Sequence, residues 1–264
     1  DSRILVYKVA IMKTNDFRER LRAGDTLLGT IVTLPMAATA EVLTEAGFDW
    51  LFLDAEHGSL EYSDILSILQ AVGDQVSCIV RLPAAEEVPI KKVLDLGAAG
   101  IIAPQVNSVE QAQDVVRFAR YSPTGSRGVG LARAHGYGMR FSEYLESANE
   151  QVAVIVQVEH IDAVESIDEI VQVEGIDGIM LGPYDLSASL GKMGELDHPT
   201  VVEAIAKMTR TCKSAGMPMG VFGVTAESLR PYMKDAYTLI LAGVDTMLLG
   251  SAAKDLLEEL QSEK

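Results

Sequence analysis

Two carboxylates and an imidazole follow directly on an apolar run in the first quarter of the chain. The run at residues 50–53 ends in Asp54, Glu56 and His57, and Gly58 then lets the backbone turn. A hydrophobic core does not need these groups, and burying them unpaired would cost several kcal/mol. The pattern is typical of a buried strand that carries acid–base groups into an active site.

Three later apolar runs end in polar residues in the same way. Arg81 follows Ile79 and Val80, Glu159 ends the run 152–159, and Asp185 comes shortly after the run 178–181. Side chains at the carboxyl ends of parallel barrel strands gather on one face of the fold. Four strand ends of this kind therefore predict one shared site.

The spacing of three of these polar residues indicates a metal site. Gln157 and Glu159 are two residues apart on one strand and so share a face, and Asp185 arrives from the next strand through Gly182 and Pro183. Two carboxylates with room for water suit Mg²⁺ or Mn²⁺, whereas a structural Zn²⁺ would need a Cys/His set. Two alternatives stay open: Glu159 pairs with an arginine, or Asp185 caps a helix.

The alternation of apolar runs and helical patterns predicts the fold. Eight β/α repeats in 264 residues are the pattern of an α/β protein with a single (β/α)₈ TIM barrel. The predicted strands are 27–32, 50–53, 78–81, 100–104, 152–159, 178–181, 218–222 and 238–242. The clearest predicted helices are 37–46, 63–71, 88–96, 108–120 and 244–260, with Ser63 and Ser108 as N-caps.

The barrel domain is expected to span residues 24–264, after an N-terminal extension and lead-in helix at residues 1–23. Met12-Lys13-Thr14 resembles a native start, so we expect residues 1–11 to be an upstream extension. The last helix, at 244–260, is apolar around more of its circumference than one barrel wall needs, which predicts burial on more than one side.

Composition excludes several classes of function. A net charge of −16 argues against nucleic-acid binding, because no basic stripe exists to meet phosphates. No apolar stretch approaches the ~20 residues that span a bilayer. Cys78 and Cys212 are too few for a disulfide framework, so we expect buried free thiols in a cytoplasmic protein.

Covalent and nucleotide cofactors are also not expected. The glycines at 125, 128 and 130 match neither Rossmann nor Walker spacing. The lysines all fall outside the predicted strands, which argues against a Schiff-base lysine and against pyridoxal phosphate. His135, His160 and His198 are expected to be structural or peripheral.

Five motifs in order carry a resemblance to a known family. The chain resembles, from about Gly24 onward, the class II pyruvate-dependent aldolases typified by 4-hydroxy-2-oxoheptanedioate aldolase and 2-keto-3-deoxyglucarate aldolase. The motifs are Asp54-x-Glu56-His57, Arg81-x-Pro83, Gly125-x-Arg127-Gly128-Val129-Gly130, Gln157-Val158-Glu159 and Gly182-Pro183-Tyr184-Asp185-Leu186-Ser187.

The resemblance implies a role for each site residue. Arg81 would hold the pyruvate keto oxygen, His57 would transfer a proton, and Asp95 would pair with His57 from a neighbouring subunit. The other implied roles are metal ligation by Glu159 and Asp185, pyruvate binding by Gln157, Gly182, Pro183 and Tyr184, aldehyde binding by Arg127, and ordering of water and His57 by Asp54 and Glu56.

The implied activity is metal-dependent cleavage of 4-hydroxy-2-oxo acids, or diacids, to pyruvate and an aldehyde. Mg²⁺ is the expected cofactor, with Mn²⁺ and Co²⁺ as the other candidates. A 2-oxo-diacid decarboxylase or other carbon–carbon lyase could use the same enolate, and a non-catalytic metabolite-binding barrel is a third reading. The resemblance also implies a homohexamer, built as a trimer of dimers with the last helix exchanged between partners.

Overall fold

A closed barrel of eight parallel strands forms the centre of the molecule. The computed structural model describes residues 16–262, and β1 pairs with both β2 and β8, which closes the sheet. The predicted (β/α)₈ barrel is confirmed, and each strand begins and ends within two residues of its predicted positions. The strands are β1 Leu27–Val32, β2 Trp50–Asp54, β3 Ser77–Arg81, β4 Gly100–Ala103, β5 Ala153–Val158, β6 Gly178–Leu181, β7 Met219–Gly223 and β8 Leu239–Val244.

Helices follow the strands around the outside, and a short 3₁₀ segment, Arg133–Gly138, lies in the long connection between β4 and β5. The helices are α1 Phe17–Ala23, α2 Ala37–Glu45, α3 Tyr62–Val72, α4 Glu87–Asp95, α5 Val109–Ala119, α6 Phe141–Gln151, α7 Ile161–Glu165, α8 Ile167–Ile170, α9 Pro183–Ser189, α10 Pro199–Ala215, α11 Ala226–Lys234 and α12 Asp245–Ser262.

One of the two predicted helix caps is wrong. Ser108 does cap α5, accepting a hydrogen bond from the backbone of Gln111. Ser63 does not cap α3, because the helix begins one residue earlier, after Glu61. Glu61 and Asp64 form a capping box, in which the Asp64 side chain accepts a hydrogen bond from the Glu61 backbone N–H at 2.9 Å.

The lead-in helix α1 covers the amino-terminal end of the barrel. Phe17 and Leu21 join Trp50 in the apolar cluster that fills the barrel interior, and the Phe17 and Trp50 rings lie 5.7 Å apart between centroids. The opposite end, where the strands finish, is left for the polar site. Residues 1–11, where the sequence predicts an upstream extension, lie outside the described residues.

A buried carboxylate fixes α1 to the barrel. Asp177, which precedes β6, accepts hydrogen bonds from Arg18 Nε at 2.8 Å and from the backbone of Val154 at 2.9 Å. Arg22 Nε lies 3.0 Å and Arg120 Nη2 3.3 Å from the same carboxylate. Because paired buried charges are far less costly than isolated ones, this cluster specifies where α1 docks.

The two cysteines and the helix lengths bear on the class of protein. Cys78 and Cys212 are both buried free thiols, and burial raises the pKa of each to about 12. No helix within residues 16–262 is long and apolar enough to cross a bilayer.

Gly29 on β1 makes room for Trp50 inside the barrel. A Cβ at position 29 would lie 2.5 Å from Trp50 Nε1, whereas a Cβ at Gly178 on β6 would meet its nearest atom at 3.4 Å. Trp50 also donates its indole N–H to the Leu27 carbonyl oxygen at 3.3 Å. Trp50, the largest of the fully buried side chains, therefore fits inside the barrel because residue 29 on the neighbouring strand has no side chain.

We expect Gly29→Ala to destabilise the fold by about 1–3 kcal/mol, because the methyl group overpacks the ring of Trp50. Gly178→Ala is the matched control on another barrel strand and should cost less. Urea unfolding at one fixed protein concentration measures both. Equal stability of the two variants would contradict the proposed dependence.

Candidate active site

Five polar side chains lie where the strands β2, β3, β5 and β6 finish. Asp54 and Arg81 are the last residues of β2 and β3 and are register partners. Gln157 lies near the end of β5, Glu159 follows it, and Asp185 lies in the first turn of α9, which follows β6. The structure therefore brings the predicted strand-end residues to one end of the barrel.

Asp54 holds the guanidinium of Arg81 in one orientation. Arg81 Nε donates to Asp54 Oδ1 at 2.9 Å and Nη2 to Oδ2 at 2.6 Å, a bidentate pair. The guanidinium carbon also lies 5.2 Å from the centre of the Phe52 ring. Arg81 is thus a fixed positive charge at the mouth of the barrel.

The same carboxylate shapes the turn that carries the imidazole. Asp54 Oδ1 accepts hydrogen bonds from the backbone N–H groups of Glu56 at 3.1 Å and His57 at 3.3 Å. A Cβ at Gly58 would overlap the Asp54 carbonyl oxygen, so only glycine fits there. The Asp-x-Glu-His-Gly pattern is therefore one geometric unit.

Glu56 lies between Arg81 and the imidazole. Its Oε2 atom is 3.2 Å from Arg81 Nη1 and 3.8 Å from His57 Nε2, yet it makes no well-aligned hydrogen bond. Burial raises the pKa of Glu56, and the positive charge of Arg81 only partly offsets this. The His57 side chain itself is 68% exposed. An exposed imidazole thus lies beside a half-buried carboxyl group.

Glu159 is held by two amide donors. The backbone N–H of Gln105 donates to Oε1 at 2.8 Å, and the Gln157 side-chain amide donates to Oε2. A Cβ at Gly182 would lie 2.7 Å from Glu159 Cβ, so glycine is needed for this approach. Burial raises the pKa of Glu159, the bonds from Gln157 and Gln105 oppose the rise, and the charge of Asp185 adds to it.

The donor set fits a hard divalent cation. Each Glu159 oxygen uses one lone pair for its hydrogen bond and keeps another, and Asp185 is exposed beside it. Within residues 16–262 no cluster of three or more His, Cys, Asp or Glu side chains is arranged to hold a metal. Two carboxylates suit Mg²⁺-type ions, which take their remaining ligands from water and substrate phosphate or carboxylate.

The two alternatives raised by the sequence do not describe the structure. Glu159 accepts its hydrogen bonds from Gln105 and Gln157 rather than from an arginine. Asp185 is not a helix cap, because Gly182 occupies the N-cap position of α9. Tyr184, beside Asp185 in the same turn, is exposed. Neither the Glu159 carboxylate nor the Asp185 carboxylate therefore has the structural role that its alternative described.

Asp95 and Arg127 lie together, away from this cluster. Asp95 ends α4, ahead of β4, so it is at the amino-terminal end of the barrel. Arg127 Nη2 donates to Asp95 Oδ1 at 2.7 Å, and its guanidinium lies 4.4 Å from the Tyr121 ring centre and within 3.3 Å of the Tyr144 hydroxyl. Within one chain, neither residue reaches His57. Their predicted roles at the site stay predictions that require a second subunit.

The other histidines have structural positions. His135 is buried and accepts a hydrogen bond at Nδ1 from the backbone of Gly138. His160 and His198 are the N-caps of α7 and α10. The site residue that sequence reasoning missed is Gln105, and no sequence signal marks it, because it acts through its backbone N–H.

Comparison with known proteins identifies the family. Residues 29–252 match the sequence profile described as HpcH/HpaI aldolase/citrate lyase. The chain belongs to this family. The class II pyruvate aldolase resemblance is thereby confirmed, and the protein is a carbon–carbon lyase of that class.

Individual relatives cover nearly the whole chain. A 4-hydroxy-2-oxovalerate aldolase from Rhodococcus jostii is 39% identical over 92% of this chain and 94% of its own length. A 2-keto-3-deoxy-L-rhamnonate aldolase from Escherichia coli is 39% identical over 95% of each chain. The crystal structure of a family member from Burkholderia cenocepacia superposes with a TM-score of 0.90 at 37% identity, covering 94% of this chain and 99% of the other.

We expect Arg127→Ala to destabilise the protein by about 3 kcal/mol, because it removes a fully buried side chain that packs on Tyr121 and leaves the half-buried Asp95 carboxylate unpaired. Arg210→Ala is the control, since the exposed Arg210–Glu203 pair should matter by no more than about 0.5 kcal/mol. Chemical unfolding at fixed protein concentration distinguishes them. An Arg127→Ala chain of unchanged stability with a raised KM would instead favour direct substrate contact.

Proposed function

We propose that this protein is a divalent-metal-dependent aldolase that cleaves 4-hydroxy-2-oxo acids to pyruvate and an aldehyde. The observation that carries the proposal is the pair Glu159 and Asp185 beside Arg81, whose guanidinium is fixed by Asp54. The names of the relatives from Rhodococcus jostii and Escherichia coli support the same reaction class. Mg²⁺ is the proposed ion, and a cytoplasmic location stays a prediction.

Cleavage of the C3–C4 bond leaves an electron pair at C3, which must be delocalised onto the C2 carbonyl. Glu159 and Asp185 would hold the cation, which supplies Lewis-acid polarisation of the 2-oxo acid when bound. Arg81 would place its charge at the oxygen on which negative charge develops. Because Asp54 and Phe52 already orient the guanidinium, little reorganisation is needed during the reaction.

The same cleavage requires a base for the C4 hydroxyl proton. His57 is exposed at the site, close to Glu56, and an imidazole accepts protons near neutral pH. Gln157 has one amide N–H on Glu159 and a second N–H available for the substrate carboxylate. Gly182, Pro183 and Tyr184 lie on the same side and complete the proposed pyruvate subsite.

The apolar surface of α12 supports an oligomer with exchanged helices. Residues 246–262 are all exposed, and six large apolar side chains on α12 are 42–67% exposed. Leu28 of β1 is also 42% exposed, although the other residues of that strand are buried. The helix layer is thus incomplete beside β1. The six side chains are Met247, Leu248, Leu249, Leu256, Leu257 and Leu260.

We propose that α12 of a second copy fills this gap, and that three such dimers form the hexamer implied by the resemblance. In this assembly Asp95 of one subunit would approach His57 of another. Arg127 donates only to Asp95 Oδ1. Asp95 Oδ2 is therefore available to accept a hydrogen bond from an imidazole N–H. Arg127 would then act near the neighbouring subunit's aldehyde pocket by fixing Asp95.

Chelation should abolish pyruvate release, and Mg²⁺, Mn²⁺ or Co²⁺ should restore it. Glu159→Ala and Asp185→Ala should each lose metal binding and nearly all turnover, whereas Glu203→Ala, an exposed carboxylate on α10, should behave as the unchanged chain. Pyruvate release is followed by a coupled assay. Activity that survives chelator, together with borohydride trapping of a pyruvate adduct, would contradict a metal mechanism.

Arg81 and His57 should be separable by two readouts. Arg81→Ala should impair both aldol cleavage and proton exchange at the methyl group of pyruvate, because both pass through the enolate. His57→Ala should slow cleavage by ~10²–10⁴, as expected for a lost general base. His160→Ala, which removes only a helix cap, is the control. Near-normal cleavage by His57→Ala would show that another group takes the proton.

A panel of substrates separates the proposed function from its alternatives. Release of pyruvate from 4-hydroxy-2-oxo acids in preference to oxaloacetate supports an aldolase. The reverse preference would identify a 2-oxo-diacid decarboxylase, and no turnover of either would favour a binding protein.

Leu256→Glu should dissociate the oligomer, because it places a charge in the surface that we expect to be covered, whereas Lys254→Glu on the same helix should not. Light scattering measures the mass of each.

Inactive chains carrying His57→Ala and Asp95→Asn should regain activity when mixed, since each supplies what the other lacks. The asparagine keeps an acceptor for Arg127. A fully active monomer, or mixing without recovery, would refute the shared site.

A further inference from the structure

Gln105 has a backbone conformation that its residue type disfavours. It follows β4 after Pro104, and its φ is +53°, in the left-handed region that glycine occupies most readily. Among residues 16–262 only Tyr137 and Ala236 are other non-glycine residues with positive φ. The Gln105 side chain is exposed, so side-chain packing does not repay the cost of this conformation.

The conformation gives one contact with the site. The Gln105 N–H donates to Glu159 Oε1 at 2.8 Å, while the side chain remains at the surface. Glu159 is only 2% exposed, and its other oxygen accepts from Gln157. Two donors from two different strand ends therefore fix the plane of the carboxylate. The chain around Gln105 is held by β4 before it and by α5 after it. A change of φ at residue 105 would therefore have to be taken up by rotation of the Pro104–Gln105 peptide plane, which would turn the N–H away from Oε1.

We propose that Gln105 is a positioning residue whose left-handed backbone aims the Glu159 carboxylate for the divalent cation. The inference rests on the proposed metal role of Glu159. Hydrogen bonds to a ligand carboxylate set its orientation, and losing one weakens metal affinity. Metal affinity should therefore depend on whether residue 105 tolerates positive φ, and not on the amide chemistry of its side chain.

Substitutions at position 105 separate these two causes. Gln105→Val and the milder Gln105→Thr place β-branched residues, which strongly disfavour positive φ, at this position. Gln105→Gly and Gln105→Asn tolerate it and keep the N–H. Ala236→Val is the matched control, because Ala236 has φ +66° in the exposed turn before β8, at the opposite end of the barrel.

The measurement is the Mn²⁺ dissociation constant of each full-length chain, by electron paramagnetic resonance, with the thermal midpoint recorded alongside. We expect Gln105→Val and Gln105→Thr to weaken Mn²⁺ binding about 10–100-fold. Gln105→Gly and Gln105→Asn should bind as the unchanged chain does. Ala236→Val should lower the thermal midpoint and leave Mn²⁺ affinity unaltered.

The outcomes distinguish this inference from the proposed function. Mn²⁺ affinity that is lost in Glu159→Gln but unaltered in both β-branched variants would overturn the inference alone. Weak binding by Gln105→Gly would also overturn it, because the amide side chain would then be the active feature. No Mn²⁺ binding by the unchanged chain, or full binding by Glu159→Gln, would overturn the metal site and this inference together.

Discussion

The carboxylate of Asp54 organises the end of the barrel at which we place the reaction. It accepts four hydrogen bonds, two from the guanidinium of Arg81 and two from the backbone of Glu56 and His57. Three of the four bonds fall on Oδ1, which has no lone pair left, and Oδ2 is held by Arg81 Nη2 at 2.6 Å, so the carboxylate is fixed in orientation by its protein partners. The Asp54 carboxylate has a structural role, because it links the end of β2 to the end of β3 and to the turn that carries His57. Among the acidic residues of the cluster, Asp54 is therefore the one least suited to direct chemistry.

The carboxyl groups of the cluster outnumber its positive charges, which supports the proposed cation site. Glu56 interacts electrostatically with Asp54, Glu159 and Arg81, and Glu159 interacts with Asp185 and Arg81. If all four carboxyl groups were ionised, negative charge would exceed positive charge by three, and a 2-oxo acid substrate would itself bring a negative charge. Burial and the negative charge of Asp185 raise the pKa of Glu159, and the hydrogen bonds from Gln157 and Gln105 and the charge of Arg81 oppose the rise. The divalent cation that we propose would reduce the cost of burial and the repulsion between the carboxylates, and it would make an anionic substrate compatible with an acidic protein.

The barrel and the convergence of its strand ends could be predicted from the sequence, because both follow from local pattern. Parallel strands covered on both faces read as continuous apolar runs, and the polar residues that end them must emerge on one side. Contacts between distant segments carry no such pattern. Nothing in the sequence pairs Asp95 with Arg127, thirty-two positions later, or aims the backbone of Gln105 at Glu159. Ser63 is a plausible cap by residue type, yet the helix begins one residue earlier and Glu61 occupies the N-cap position.

Two independent deficiencies of the single chain have the same remedy. One is apolar: α12 leaves the barrel after β8, and the outward-facing Leu28 of β1 stays exposed while α12 presents its own leucines to solvent. The other is polar: among residues 16–262 the exposed His57 has an ion-pair contact with Glu56 alone, and Asp95 lies at the far end of the barrel. Covering the first requires a helix, and completing the second requires an acid. In the assembly that we propose, a second copy of the chain would provide both, because a two-fold exchange that seats α12 on a neighbouring barrel also brings subunit surfaces together reciprocally. The hydrophobic effect would then hold together an assembly whose catalytic benefit is electrostatic.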